Sequence, residues 1–227
     1  MHGMREITVY RNALPLRLFR RLVRAVREVG DECLEETYTT NFWYGLDAQP
    51  GNLVEEVIAG LSQLVRPGPR CIGTEWWLGR LPYGRSLSFH FDRDMALHKQ
   101  KGQIVHPIWS SILYLNRFPS SPTVILDQVL GRDGKSLVPA VASAGKSVSP
   151  EPNQYLVYRG DRYHGVMANK AAPRQAGLRL TLLVNYWDRR PLPPVCRNYD
   201  GTIYAALCNA RAESSEHPNS QDIAMPG

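Results

Sequence analysis

From Cys71 to about Trp187 the chain is a succession of short segments rich in Trp, Tyr, Ile, Leu and Val, punctuated by Gly, Pro, Asn and Asp. This texture predicts strands near 73–81, 86–91, 108–116, 123–127, 154–158, 164–167 and 179–187. Ahead of it the apolar spacing is helical. Leu16, Leu18, Phe19, Leu22, Val23 and Val26 form one stripe, with Pro15 acceptable in a first turn and Gly30 as the stop. A second helix is predicted from Asn52 to Leu64, with Leu53, Val54, Val57, Ile58 and Leu61 inward, broken by Arg66-Pro67-Gly68-Pro69. Helices first and many short strands afterwards predict a mainly β domain, a barrel or sandwich buttressed by helices. The stretch 131–152, rich in Gly, Ser, Ala and Pro, reads as a loop with room for one irregular strand. The expected organisation is one domain over 1–209, with helices across about 14–65 and the β core across about 71–190. The polar end, 210–227, is expected to be disordered.

Composition narrows the class. With 227 residues, 43% hydrophobic and 21% charged, the chain can bury one sizeable core. The net charge of +6 is scattered apart from Arg17, Arg20, Arg21, Arg24 and Arg27, whose spacing puts them along one helix side as a solvated face. No nucleic-acid module accompanies that charge, so it does not argue for a nucleic-acid partner. Cys33, Cys71, Cys196 and Cys208 form no CxxC pair and no disulfide framework. No signal segment or membrane-length apolar run is present, and a reducing cytoplasm is expected. Phosphate-loop, dinucleotide and nucleophile-elbow motifs are absent; Ala144-Gly145-Lys146-Ser147 lacks the upstream glycine, since position 140 is Ala140.

The chemistry-bearing residues are few. His90 and Asp92 occupy positions i and i+2 of Ser86-Leu87-Ser88-Phe89-His90-Phe91-Asp92, so an extended backbone presents them on one side. His164, far downstream in Gly160-Asp161-Arg162-Tyr163-His164-Gly165-Val166, can add a second imidazole from another strand. Two histidines and a carboxylate on one face of a metal, with the other face open, are the donor set of non-haem Fe(II) oxygenases. The long separation excludes a helical HExxH zinc site. His98 and His106 have no comparable partners and read as structural or substrate-side residues.

Several pieces in order resemble the iron- and 2-oxoglutarate-dependent dioxygenases, most closely their prolyl-hydroxylase-like branch. Leu81-Pro82-Tyr83-Gly84 ahead of His90-Phe91-Asp92 is similar to that family's lead-in to its first metal motif. Ile112-Leu113-Tyr114-Leu115-Asn116 resembles its Tyr-Leu-Asn strand. Gly160-Asp161 before His164 resembles the turn ahead of the second histidine, and Arg179-Leu180-Thr181 its closing Arg-x-Ser/Thr strand. The resemblance runs from about Leu78 to Trp187.

It implies a double-stranded β-helix, or jelly-roll, with Fe(II) held by His90, Asp92 and His164. It also implies 2-oxoglutarate anchored by Arg179, with Thr181 and Tyr114 assisting, and dioxygen as the oxidant. Arg174, nearer to His164, competes with Arg179 for that role, but Pro173-Arg174-Gln175-Ala176-Gly177 reads as a turn. The implied reaction yields succinate, carbon dioxide and hydroxylation of an unactivated C–H bond. The carboxylate at Asp92 disfavours a halogenase. Where many members of the branch carry a Gly-Gly-acidic segment, this chain has Ser121-Pro122-Thr123-Val124-Ile125-Leu126-Asp127, so a peptidyl-proline substrate does not carry over. Compact size favours a small molecule such as a free amino acid or natural-product intermediate. Arg85, Arg93, Arg159 and Arg162 are candidates to hold its carboxylate, and Trp76, Trp77 and Trp109 to line its pocket. The alternatives are a hydroxylase of peptide or protein side chains and a non-catalytic jelly-roll binding protein.

Overall fold

Along the segment Leu178–Trp187, Arg179, Thr181, Leu183 and Asn185 face a central cavity, while Leu182, Val184 and Tyr186 pack outward into the main apolar core. That period-two alternation is the rule of a strand covered on both faces. The computed structural model describes residues 7–169, 177–194 and 196–209.

In chain order the elements begin with β1 (Ile7–Tyr10), α1 (Leu16–Val29), α2 (Asp31–Glu36), β2 (Asn41–Gly45) and α3 (Leu53–Val65). The barrel strands β3 (Gly73–Pro82) and β4 (Leu87–His90) lead to α4 (Met95–Lys101), and are followed by β5 (Trp109–Tyr114) and β6 (Thr123–Leu126). A small hairpin, β7 (Val129–Leu130) and β8 (Leu137–Val138), precedes β9 (Gly145–Val148), β10 (Gln154–Arg159), β11 (His164–Val166) and β12 (Leu178–Trp187). The series closes with β13 (Cys196–Asn198) and α5 (Ala206–Asn209).

The large sheet has the order β1-β10-β5-β12-β3-β2-β13 and the small one β4-β11-β6-β9. Within them, β3-β12-β5-β10 faces β4-β11-β6-β9, and the chain passes repeatedly from one sheet to the other. This is a double-stranded β-helix, the jelly-roll expected. Its interior holds Ile112, Tyr114, Ile125, Val148, Leu156 and Tyr158. The outer face of the large sheet is covered by helices. Phe19, Leu22, Ala25 and Val26 of α1 and Leu53, Val54, Val57, Ile58 and Leu61 of α3 pack against Trp76, Leu78, Leu113 and Val184. Asn52 caps α3 by accepting from the Glu55 amide at 3.0 Å, a contact worth about 1 kcal/mol. Arg21 ties α1 to α3 through Glu56 at 3.2 Å, so one member of the arginine stripe is engaged rather than solvated.

Three expectations need correction. The region expected to be helical, 14–65, also carries β2, which extends the large sheet beside β3. Asn41-Phe42-Trp43-Tyr44-Gly45 is short and lies between helical segments, which hid it. The stretch 131–152 holds two strands, β8 and β9, not one. The second, Gly145–Val148, is polar because it forms an exposed sheet edge beside β6. The third concerns Trp76 and Trp109: Trp76 is fully buried against Phe42, Trp109 packs on the main core, and only Trp77 lines the cavity. The tail 210–227 and Arg174 lie outside the described residues.

Candidate metal and co-substrate site

His90 ends β4 and Asp92 follows two residues on, in the loop, while His164 opens β11. The two histidines are register partners across the antiparallel β4–β11 pair, with ring centroids 4.4 Å apart. Asp92 lies between them: Oδ1 is 3.8 Å from His90 Nε2 and Oδ2 is 3.8 Å from His164 Nε2. One donor atom from each residue falls within 4.8 Å of the others, the sole such cluster among the described residues. Gly165 permits this approach, because a Cβ there would sit 2.9 Å from the Leu87 carbonyl oxygen.

The donor chemistry fits a divalent metal. His90 Nδ1 lies 2.8 Å from the Ser88 carbonyl and His164 Nδ1 lies 2.9 Å from that of Arg162. Both carbonyls can only accept, so each Nδ1 carries the proton and each Nε2 keeps its lone pair for a cation. Burial lowers the pKa of His164, which is 5% exposed, against the opposing pull of Asp92, so the ligand-competent neutral imidazole is favoured.

A second group of contacts fixes the carboxylate. Ser110 donates to Asp92 Oδ2 at 2.6 Å, and the Tyr158 hydroxyl lies against Ser110. His106 Nδ1 is 2.7 Å from the Asp92 backbone oxygen, which gives that histidine a structural role at the site. Tyr158 is entombed, and its phenol is pushed far above the ordinary range by burial and then by Asp92.

Deeper in the barrel, Arg179 is 5% exposed and has no acidic partner among the described residues. Its Nη2 donates to Thr123 Oγ1 at 2.8 Å, Tyr114 donates to the same oxygen at 2.8 Å, and the Arg179 Nε has no partner. The guanidinium carbon also lies 5.3 Å from the Tyr114 ring centroid. Desolvation lowers the Arg179 pKa and raises that of Tyr114. A buried cation without a counter-charge is costly, and this one faces a cavity of about 260 Å³ that also contains the three-residue cluster. Thr181 lies on the same face. Opposite it in register is Gly79, where a Cβ would come within 2.4 Å of Thr181 Oγ1, so the missing side chain keeps that hydroxyl's place open.

Five of the six residues expected from the sequence line one cavity; the sixth, Tyr114, does not line it and instead donates its hydroxyl to Thr123, which does. Of the four arginines considered for a substrate carboxylate, only Arg93 lines the cavity. Arg159 pairs with Asp161, and Arg162 donates to the Asp127 carbonyl at 2.8 Å. Thr123, Ser110 and Tyr158 were not anticipated, nor were Tyr38 and Glu75, which also line the cavity. The signal for Ser110 was available, since it shares strand parity with Tyr114.

No protein-family model matches the chain, and no curated protein matches it significantly. Solved structures do. A prolyl hydroxylase from Trichoplax adhaerens, determined in complex with a hypoxia-inducible-factor oxygen degradation domain peptide, is 12% identical with a TM-score of 0.52, covering 81% of this chain and 84% of its own. AviO1 from Streptomyces viridochromogenes Tue57 is 17% identical with a TM-score of 0.51, covering 83% and 92%. The likeness of motif to the prolyl-hydroxylase-like branch is therefore accompanied by a likeness of fold. Among the described residues no helix is long and apolar enough to cross a membrane.

Proposed function

We propose that this protein is an Fe(II)- and 2-oxoglutarate-dependent oxygenase that hydroxylates a small molecule. The observation that carries the reading is the pairing, in one jelly-roll cavity, of the His90–Asp92–His164 donor set with the buried, acid-free Arg179 behind it. His90, Asp92 and His164 would hold the iron, and Arg179 the far carboxylate of 2-oxoglutarate. The bound iron, with 2-oxoglutarate and dioxygen, supplies the oxidation of an unactivated C–H bond.

The chain's own task is placement and exclusion. Arg179 offers a planar fork with an unpartnered Nε, suited to a carboxylate. Thr123 accepts from both Arg179 and Tyr114, which leaves its own hydroxyl proton to donate to the same carboxylate. Thr181 adds a further hydroxyl. Ser110 donates to Asp92 Oδ2 and so holds the carboxylate with Oδ1 toward His90 and Oδ2 toward His164. Ile112, Leu183 and Val166 line the cavity with apolar surface that limits water around the reacting centre. A cavity of about 260 Å³ suits a small substrate better than a polypeptide. The four cysteines are free, which suits a reducing compartment such as the cytoplasm, where iron stays ferrous.

The test is anaerobic loading with Fe(II) and 2-oxoglutarate, followed by oxygen and a metabolite panel. Succinate release coupled to a gain of one oxygen atom in a substrate is expected. Failure of the Fe(II)-loaded protein to bind 2-oxoglutarate at all would leave a non-catalytic jelly-roll, and turnover confined to peptides would move the reading to a side-chain hydroxylase.

A further inference from the structure

Two ionisable side chains of opposite kind, Glu75 and Arg93, line the cavity beside the donor cluster, and among the described residues neither forms an ion pair. Glu75, on β3, is 5% exposed. Its two oxygens each accept one hydrogen bond, from Asn41 Nδ2 at 2.7 Å and from Trp187 Nε1 at 3.2 Å. A carboxylate has about four acceptor positions, so about two stay open. Arg93, one residue beyond Asp92, has a buried Nε without a hydrogen-bond partner. Arg80 borders the same cavity but is engaged by Glu35 at 3.1 Å.

Buried charges normally find a counter-charge within the protein. The proposed centre does not supply one here. A divalent iron, the Asp92 carboxylate, a dianionic co-substrate and the Arg179 guanidinium cancel among themselves. The buried Glu75 carboxyl and the partly buried Arg93 guanidinium are left over on the wall of the same space. Trp77 and Tyr38 border it too, and aromatic faces favour a cation.

We propose that Glu75 and Arg93 bind the primary substrate, and that this substrate is a small zwitterion of the amino-acid type, its cationic nitrogen on Glu75 and its carboxylate on Arg93. The proposal rests on the oxygenase reading and narrows it to a substrate class. It assigns both residues to binding and specificity, not to the metal or the co-substrate.

The experiment uses the protein loaded anaerobically with Fe(II) and 2-oxoglutarate. Free α-, β- and ω-amino acids are titrated by calorimetry, each beside its N-acetyl and its carboxamide form, and succinate release is read after oxygen is admitted. At least one free amino acid is expected to bind and to accelerate succinate release, and capping either end should weaken binding tenfold or more. Glu75→Gln should weaken the free compound by a similar factor while leaving the N-acetyl form little changed, and Arg93→Gln should do the same with respect to the carboxamide. Retained 2-oxoglutarate affinity shows that each variant is folded. If a variant does not fold, the capped series on the unaltered protein decides alone. The proposal is overturned if 2-oxoglutarate binds normally yet no free amino acid does, if capped forms bind as well as their parents, or if both folded variants bind the parent normally. Failure of 2-oxoglutarate itself to bind is a different result and strikes the oxygenase reading.

Discussion

His90 and His164 stand directly opposite one another on adjacent antiparallel strands, with both Nδ1 atoms tied to backbone carbonyls and both Nε2 atoms turned toward Asp92. The arrangement presents three lone-pair donors in one small space and spends both ring protons on the backbone. A pair built for packing alone would have no reason to keep both Nε2 atoms beside a carboxylate.

Removing either imbidazole donor is therefore expected to remove the metal. His164→Ala and His90→Ala should each lower Fe(II) affinity by more than about 100-fold, since even residues that only support a ligand are worth about 10- to 100-fold. Metal content after anaerobic loading and desalting reads this directly. A second reading is thermal: Fe(II) should raise the melting temperature of the unaltered protein and not of the variants. Stoichiometric iron retained by His164→Ala would rule out the assignment.

Arg179 and Tyr114 share a single acceptor, Thr123 Oγ1, and this geometry separates their expected effects. Arg179→Gln removes a charge-assisted contact worth about 1.5–3 kcal/mol, so the 2-oxoglutarate concentration required should rise roughly 10- to 100-fold with iron binding intact. Tyr114→Phe removes only a neighbour of that contact and should raise it a few-fold. Equal effects from the two substitutions, or none from Arg179→Gln, would place the co-substrate carboxylate elsewhere.

Ser110 touches the carboxylate without being a donor to the metal. Its bond to Asp92 Oδ2 at 2.6 Å orients the group, and Ser110→Ala should weaken Fe(II) binding about tenfold while leaving 2-oxoglutarate affinity for the loaded protein near its original value. A change confined to 2-oxoglutarate would show that Ser110 serves another purpose.

Much of this site was legible in the sequence because strand periodicity is simple. His90 and Asp92 share a side at a spacing of two, and Arg179, Thr181, Leu183 and Asn185 follow the same rule along β12. The barrel was legible for the same reason. What escaped notice depends on pairing between strands, which no local pattern encodes. Thr123 matters only because β6 brings it beneath Tyr114 and Arg179, and Ser110 only because β5 brings it to Asp92. Glu75 was hidden by its setting among Thr74, Trp76 and Trp77, where a lone acid does not announce whether it faces core or cavity. Strand β9 was missed because an exposed edge tolerates Gly145, Lys146 and Ser147 as freely as a loop does.

Glu75 also makes the metal-free protein's stability depend on pH in a direction opposite to that of an ordinary salt-bridged acid. Burial is the main cause that pushes its carboxyl from 4.5 up to about 7, and the charges of Asp92 and Asp94 add to it, partly offset by Asn41 and Trp187. The folded state therefore holds this proton more tightly than the unfolded chain. As pH rises above about 4.5 the unfolded chain ionises first, so stability falls with pH until the folded-state value near 7 is passed, and is level beyond it. A shift of this size corresponds to about 3 kcal/mol as an upper figure. Glu75→Gln carries no such proton. Denaturant unfolding of the metal-free proteins should give similar stabilities near pH 4.5 and a growing advantage for the variant up to about pH 7.5, after subtracting the pH dependence common to both. Parallel curves across that window would mean that Glu75 is already ionised in the folded protein at low pH, with a counter-charge the described contacts do not contain.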